Sequence, residues 1–333
     1  MKLSIILVNY KSPQLLIDCL SSIYQFDTNR FEIIVVDNYS QDNTAALLKQ
    51  QFPLVTFIQM GYNAGFARAN NAGIKIASGE AVLLLNTDTI IINDAINNCL
   101  NEFISSNAVA CGAQLLNEDN TPQIAGNYAM KGGLNYLLPL PFWGQFLKFI
   151  AELLKVKKPN VPDSTGIVEV DWINGAFLMV KKAAIDKAGL LDEDFFLYAE
   201  EAEWCSRLKK VGRLFIYGQF KVVHLQGKTA NEAFGSTGKG YFNLFDTKGL
   251  QIMLSNFVRI RKEFGVAWMI FDLINYCITI PIFFFGMLVE KIIKGNGSSY
   301  QFKQWKGYSI NVIRLIGFSP KIIANKPYFY KVL

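Results

Sequence analysis

Over roughly its first hundred residues the chain alternates short, continuously apolar runs with segments of helical periodicity, and this alternation limits the folds open to it. Leu3–Val8, Ile33–Val36, Val55–Ile58 and Ala81–Leu85 are the apolar runs. Between the first two, Ser12-Pro13 offers an N-cap and first-turn pair, after which Leu15, Leu16, Cys19, Leu20 and Ile23 recur at helical spacing. Further helices are expected over 42–51 and 64–77. A strand that is apolar at every position needs cover on both faces, so the expected fold is α/β, a parallel sheet with helices on both faces. In such sheets ligands gather beyond the carboxyl ends of the strands.

After a further strand at Val109–Leu115 the regularity lapses. The stretch Lys131–Lys158 is rich in Leu, Phe, Pro and Trp, and Phe146, Phe149, Ile150, Leu153 and Leu154 share one helical face. Order returns with expected strands at Ala176–Val180, Leu214–Tyr217 and Lys221–His224, and a helix from Glu200 to Lys210. Beyond Asn256 the chain reads as long apolar helices. Charge marks the same division: the net +6 resolves into 22 basic and 24 acidic residues up to position 254, then 11 basic and 3 acidic from 255. Two regions are therefore expected, a catalytic domain at 1–254 and a helical, membrane-associating region at 255–333. A basic excess confined to an apolar tail fits an anionic membrane surface and argues against a nucleic-acid groove.

Gly265–Val289 is apolar except for Asp272, and its 25 residues would reach across a bilayer. Arg259, Arg261 and Lys262 precede it, Lys291 and Lys294 follow, and no acidic residue occurs after Lys291. Moving that tail across the membrane would oppose the positive-inside tendency, so a re-entrant or in-plane hairpin interrupted at Pro281 is favoured over a span. At the other end, Leu3–Val8 is too short for a secretory leader. The five scattered cysteines form neither a disulfide framework nor a zinc pattern. The expected location is the cytoplasmic face of a membrane, peripheral or monotopic.

The strand ends carry the polar chemistry. The first strand ends in Asn9-Tyr10, the second in Asp37-Asn38, the third runs into Gly61–Gly65, and the fourth ends in Asn86-Thr87-Asp88. Asp37 is suited to a base or ribose, Tyr10 to flanking the base, and Arg68 to the base or phosphates. The turn through Asn63 and Gly65 opens a helix, where free N–H groups favour phosphate. Two phosphate motifs fail: no G-x-G-x-x-G follows the first strand, and Gly227-Lys228-Thr229 lacks the upstream P-loop glycine, whose place Val222 takes. An acidic cluster from Asp192 to Glu203 ends on a helix start, where Glu200 and Glu201 either complement the helix dipole or act as a general base. His224, the chain's single histidine, could complement Asp88 around Mn²⁺ or Mg²⁺ held mainly by a diphosphate. No Ser or Cys is paired with a histidine, so covalent catalysis has no support.

Taken together, Ser4–Tyr10, Val35-Val36-Asp37-Asn38 with Ser40, Asn63–Ala67 with Asn70, Leu85–Thr89, Asn174–Lys182, Phe195–Tyr198 with Glu200-Glu201, and His224 resemble the family 2 inverting glycosyltransferases of GT-A fold. The rhamnosyltransferase-like bacterial branch is the nearest in pattern, over residues 3 to about 229. The resemblance implies a nucleoside-diphosphate sugar donor (UDP- or dTDP-sugar), with Asp37 and Arg68 on the base and Asn9 and Tyr10 lining its pocket. It implies donor contacts in the Asn63, Gly65 and Gly175 blocks, and a divalent metal at Asp88, completed by His224. Asn86 stands where the family often has a first acidic residue. The base maps to Glu201, with Glu200 as competitor, and the acceptor to a hydroxyl of a lipid-linked or cell-surface glycan. Gln301–Trp305 resembles the Q-x-x-R-W motif of processive polysaccharide synthases, but Gln304 replaces Arg and the segment lies too far from the base to serve that role. The competing readings are a nucleotidyltransferase on a related sheet and a sugar-nucleotide-binding homologue without activity.

Overall fold

Each expected apolar run becomes a strand: β1 (Leu3–Asn9), β2 (Phe31–Asp37), β3 (Thr56–Gln59) and β4 (Ala81–Asn86). Helices α1 (Pro13–Ile23), α2 (Thr44–Gln51) and α3 (Gly65–Ile76) cross between them. The computed structural model describes residues 1–156, 160–161, 163–225, 231, 234–236 and 243–333, so Lys157, Lys158 and the Gly227–Thr229 motif lie outside the described residues. Two compact units result, one of Met1–Tyr128, Asn160–Phe196 and Glu200–Thr229, the other of Ala129–Pro159, Leu197–Ala199 and Ala230–Leu333.

The first unit continues with β5 (Thr89–Ile91), α4 (Ala95–Ser105), β6 (Ala108–Leu116) and β7 (Gly126–Asn127). In the second unit α5 covers Trp143–Leu153. The first unit resumes with β8 (Asn160–Val161), β9 (Ile167–Val170), β10 (Trp172–Ile173), β11 (Phe177–Lys181), α6 (Lys182–Ala188), α7 (Glu200–Lys209) and β12 (Arg213–His224). Among the described residues the main sheet runs β3-β2-β1-β4-β11-β6-β12-β5, with β9 also on β12. Pairs β1/β2, β1/β4, β2/β3 and β6/β12 are parallel, while β11 and β5 run antiparallel to their neighbours. Because β11 is reversed, its amino end meets the carboxyl end of β4 (Phe177 opposite Leu85), and Gly175 reaches the same edge as Asn9, Asp37, Asn86 and His224. Leu3, Ile5, Ile6 and Leu7 are buried, as are Val82, Leu83 and Leu84, which is the two-sided cover their apolar sequence requires.

Two details depart from expectation. Leu214–Tyr217 and Lys221–His224 are one strand, β12, whose register against β6 shifts between Tyr217 and Lys221. A bulge of this kind keeps the strand paired across a break in its apolar pattern. At α1, Pro13 holds the first turn, but the Ser12 hydroxyl donates to the Tyr10 carbonyl at 3.0 Å instead of capping the helix.

The second unit is helical. After α5 come α8 (Thr247–Phe264), α9 (Val266–Lys294) and α10 (Phe302–Ala324). Asp246 caps α8 by accepting from the Gly249 amide. Phe257 meets Tyr276 edge-on at 5.0 Å, and Tyr308 donates to the Tyr276 carbonyl, pinning the three helices together. Trp143 and Trp305 donate to Asn275 Oδ1 and the Ile280 carbonyl, attaching α5 and α10 to α9. The interruption expected at Pro281 does not occur: α9 runs through it, with the proline on the exposed side. Proline forfeits one backbone bond, which a long, well-packed helix absorbs. The hairpin is instead formed by α9 and α10. Gln301 and Gln304 form a capping box at the start of α10, which gives the Gln301–Trp305 segment a structural role.

Candidate active site

Asn9 and Asp37 end adjacent parallel strands in register, so their side chains meet. Asn9 Nδ2 donates to Asp37 Oδ1 at 2.9 Å, and lies 3.1 Å from Ser40 Oγ and 3.2 Å from Thr44 Oγ1. Asp37 also accepts from the Ser40 amide (2.9 Å) and hydroxyl (2.5 Å). Asn9 is fully buried and Asp37 2% exposed, and Asn9 Oδ1 finds no hydrogen-bond partner among the described residues. A buried acceptor left open at a strand end is costly unless a ligand completes it. Tyr10 is half-buried beside this pair. Ser40 belongs to the Asp37 block of the sequence, whereas Thr44, at the start of α2, carries no sequence signal that ties it to Asn9.

The next loop is organised by Asn38. Its side chain accepts from the Ala64 amide at 2.7 Å and donates to Asn63 Oδ1 (3.1 Å) and the Gly65 carbonyl (3.3 Å). Gly65 has φ +74°, and a Cβ there would lie 2.2 Å from the Phe196 carbonyl oxygen, so both backbone angle and space require glycine. The amides of Ala64, Gly65 and Phe66 go to Asn38, Asn63 and the Phe196 carbonyl. This corrects the expectation of free phosphate-binding amides at the start of α3: protein acceptors already use them, and they fasten the turn to the 195–196 segment. Arg68 points its Nε to the Glu193 carbonyl at 2.9 Å, a second tie to that segment.

At the ends of β4 and β12, His224 Nε2 lies 3.3 Å from Asp88 Oδ1 and 3.5 Å from Asn86 Nδ2, and both Asp88 and His224 are buried. Two ligand atoms on one octahedral ion with bonds near 2.1 Å stand roughly 3 Å apart, so this carboxylate and imidazole are suitably spaced to share a cation. No group of three or more His, Cys, Asp or Glu side chains gathers for a metal among the described residues. The two residues fit a hard divalent ion only as part of its ligand set, the rest of which would have to come from outside these side chains.

In the acidic cluster Glu203, Glu193 and Asp192 have structural work. Glu203 binds Arg207, which also donates to the Ala188 and Leu190 carbonyls. Glu193 accepts from Asn71, and Asp192 from the Asp194 amide. Glu200 and Glu201 open α7, both buried. A Cβ on Gly175 would stand 3.5 Å from Glu201 Cγ and 3.7 Å from the Phe66 ring, so Glu201 lies beside the Gly175 and Phe66 blocks. The five cysteines are free, and burial pushes the Cys19 thiol up to about 12, making it a packing residue.

Residues 4–168, close to half of the chain, match Glycosyl transferase family 2. The low-salt glycan biosynthesis hexosyltransferase Agl10 of Haloferax volcanii is 28% identical over 213 residues, 62% of each chain. The poly-beta-1,6-N-acetyl-D-glucosamine synthase of Staphylococcus epidermidis is 27% identical over 205 residues, 61% of this chain and 45% of that protein. The match thus spans less than two thirds of either relative. Among solved structures, mannosyltransferase PcManGT from Pyrobaculum calidifontis, in complex with GDP-Man and Mn²⁺, superposes with TM-score 0.55 at 15% identity, covering 96% of this chain and 87% of that one. Motif order, sheet topology and these likenesses agree: the chain has the GT-A fold, and its residues 4–168 are similar to glycosyl transferase family 2.

Proposed function

We propose that this glycosyltransferase is an inverting, metal-dependent hexosyltransferase that moves a sugar from a UDP- or dTDP-sugar to a hydroxyl of a lipid-linked or cell-surface glycan. The observation that carries the reading is the convergence on one sheet edge of the Asn9–Asp37 pocket, the Asp88–His224 pair and Glu201 beside Gly175. Asn9, Tyr10 and Asp37 hold the base, and Arg68, Asn63 and Gly65 shape the donor loop, the last two through the backbone they fix. Asp88 and His224 would hold Mn²⁺ or Mg²⁺, with Asn86 beside them, and such an ion when bound offsets the charge of the diphosphate. Glu201 takes the proton from the acceptor hydroxyl, whose oxygen attacks the anomeric carbon opposite the nucleotide; the bond from that carbon to the diphosphate oxygen breaks, the nucleoside diphosphate leaves with the electron pair, and configuration inverts. Glu200 is the second candidate base. Mannosyltransferase PcManGT, of the same fold, was solved with GDP-Man and Mn²⁺, which supports a nucleoside-diphosphate sugar as donor and a metal.

A nucleotidyltransferase would need basic groups around a triphosphate, and Arg68, the candidate for that role among the described residues, is tied to the Glu193 carbonyl. The test is donor turnover across UDP-, GDP- and dTDP-sugars with Mn²⁺ and Mg²⁺. The expected result is release of nucleoside diphosphate from a UDP- or dTDP-sugar with metal added. Release of inorganic pyrophosphate from nucleoside triphosphate would favour the alternative, and no turnover of any donor would favour an inactive homologue.

The helical region is read as the membrane-binding part. Ile270, Ile274, Ile278, Phe285, Leu288 and Ile292 are exposed along one stripe of α9, at three-, four- and seven-residue steps. That helix is the one among the described residues long and apolar enough to cross a bilayer. Its opposite side, however, packs on α8, which buries Gln251, Asn256 and Arg259, and on α10, which carries Lys303, Lys306, Arg314 and Lys321. Hydrocarbon would not accommodate those partners, so α9 lies in the plane of an anionic cytoplasmic leaflet with the stripe inserted. Release from membranes by high salt alone would contradict insertion.

A further inference from the structure

His224 is held from behind by a side chain that none of the motifs contains. Past the end of β6 the chain turns through Asn117–Thr121 and returns, with the Gln123 amide donating to the Leu115 carbonyl at 2.8 Å. The Gln123 side chain, itself buried, then lies against His224. Its Nε2 donates to the His224 carbonyl (2.6 Å) and to Asn117 Oδ1 (2.8 Å). The orientation of Asn117 is set in turn, because its Nδ2 donates to Thr121 Oγ1 at 2.8 Å and the Thr121 hydroxyl gives its own proton to Asp119 Oδ1. A carboxylate only accepts, so the direction of every bond along Asp119, Thr121, Asn117 and Gln123 follows from its end. Gln123 Oε1 is left as an acceptor, 2.9 Å from His224 Nδ1, which must then carry the hydrogen. In a neutral ring the lone pair is then on Nε2, which Asn86 Nδ2 faces as a donor at 3.5 Å, while Asp88 Oδ1 at 3.3 Å is a second acceptor that a proton or a cation has to bridge.

We propose that Gln123 is a positioning residue that locks His224 in the Nδ1–H tautomer and presents its Nε2 lone pair toward Asp88. Histidines that bind metals are oriented in this way by a partner on the other ring nitrogen. The tautomer does not depend on the metal reading of Asp88 and His224; its effect on ion affinity does.

With one histidine in the chain, a long-range ¹H–¹⁵N spectrum of ¹⁵N-histidine-labelled, metal-free protein contains a single imidazole pattern. It is recorded about two pH units above the ordinary imidazole value of roughly 6.5. The expected wild-type pattern is a protonated Nδ1 and an unprotonated Nε2. Gln123→Met should shift it toward Nε2–H, whereas Gln123→Glu, which keeps an acceptor oxygen, should retain the protonated Nδ1. A protonated Nε2 in the wild type, or an unchanged pattern in Gln123→Met, overturns the proposal. Mn²⁺ titration in the presence of UDP or dTDP supplies the second readout. Gln123→Met should weaken Mn²⁺ about tenfold, and should have no further effect in a His224→Ala background. An equal loss in both backgrounds overturns action through His224. A wild type that binds no Mn²⁺ with either nucleotide would sink the metal reading and leave the tautomer result standing.

Discussion

Gly65 concentrates several demands on one residue: a left-handed φ of +74°, an amide given to Asn63, and a Cβ position 2.2 Å from the Phe196 carbonyl. Gly65→Ala should therefore cost on the order of 2–4 kcal/mol through strain and displacement of the 195–196 segment, read as a lower urea midpoint. An unchanged midpoint would contradict the close approach. Asp272 makes a different prediction. It is fully buried in α9, and neither carboxylate oxygen has a hydrogen-bond partner among the described residues. Burial pushes its carboxyl up to about 7, above the value of roughly 3.9 expected in the unfolded chain. The folded state thus prefers the protonated acid, and its stability is full below about pH 4 and falls as pH rises through 7. Asp272→Asn should raise Tm at pH 8 and give little gain at pH 4, and equal gains at both would contradict an uncompensated buried carboxylate. At this scale the sequence was legible where a residue acts on its neighbours in a motif, as with Asp37 and Asn63. Gln123 left no trace, because its partners are a backbone carbonyl and a ring nitrogen 101 positions away.

Among the elements, the sheet was read with little error because its strands carry their burial in their own composition. β5 was missed: three residues after the Asn86–Asp88 turn are too short to show a period. β12 was split because its bulge breaks the pattern while the pairing to β6 continues. The helix start at α3 shows the opposite failure, since its amides looked available from sequence but are consumed by side chains and a carbonyl brought in from elsewhere. The helices after 255 were recognised by apolarity, but which side of α9 faces out follows only from α8 and α10 packing on the other side. Replacing Ile274 and Ile278 together by Glu puts two carboxylates on the exposed stripe. Binding to vesicles containing anionic lipid should fall at least tenfold, with Tm within a few degrees of wild type, in a co-sedimentation assay. Unchanged binding would remove α9 from the membrane reading.

For the whole molecule, the net charge of +6 conceals a first region near neutrality and a basic, apolar tail. A near-neutral catalytic region suits a donor whose charge is met locally, and a basic tail suits an anionic leaflet. In the proposed reaction the Asp88–His224 pair and Glu201 perform separate parts of one transfer. The most direct test measures, for wild type, Asp88→Ala, Glu200→Gln and Glu201→Gln, both Mn²⁺-dependent binding of the nucleoside diphosphate and turnover of the matching sugar donor. Asp88→Ala should lose both, and Glu201→Gln should bind within a few-fold of wild type yet lose at least a hundredfold in turnover, a size usual for removal of a general base. Glu200→Gln should retain most activity. Full turnover by Glu201→Gln, or undiminished metal-dependent binding by Asp88→Ala, would contradict the account.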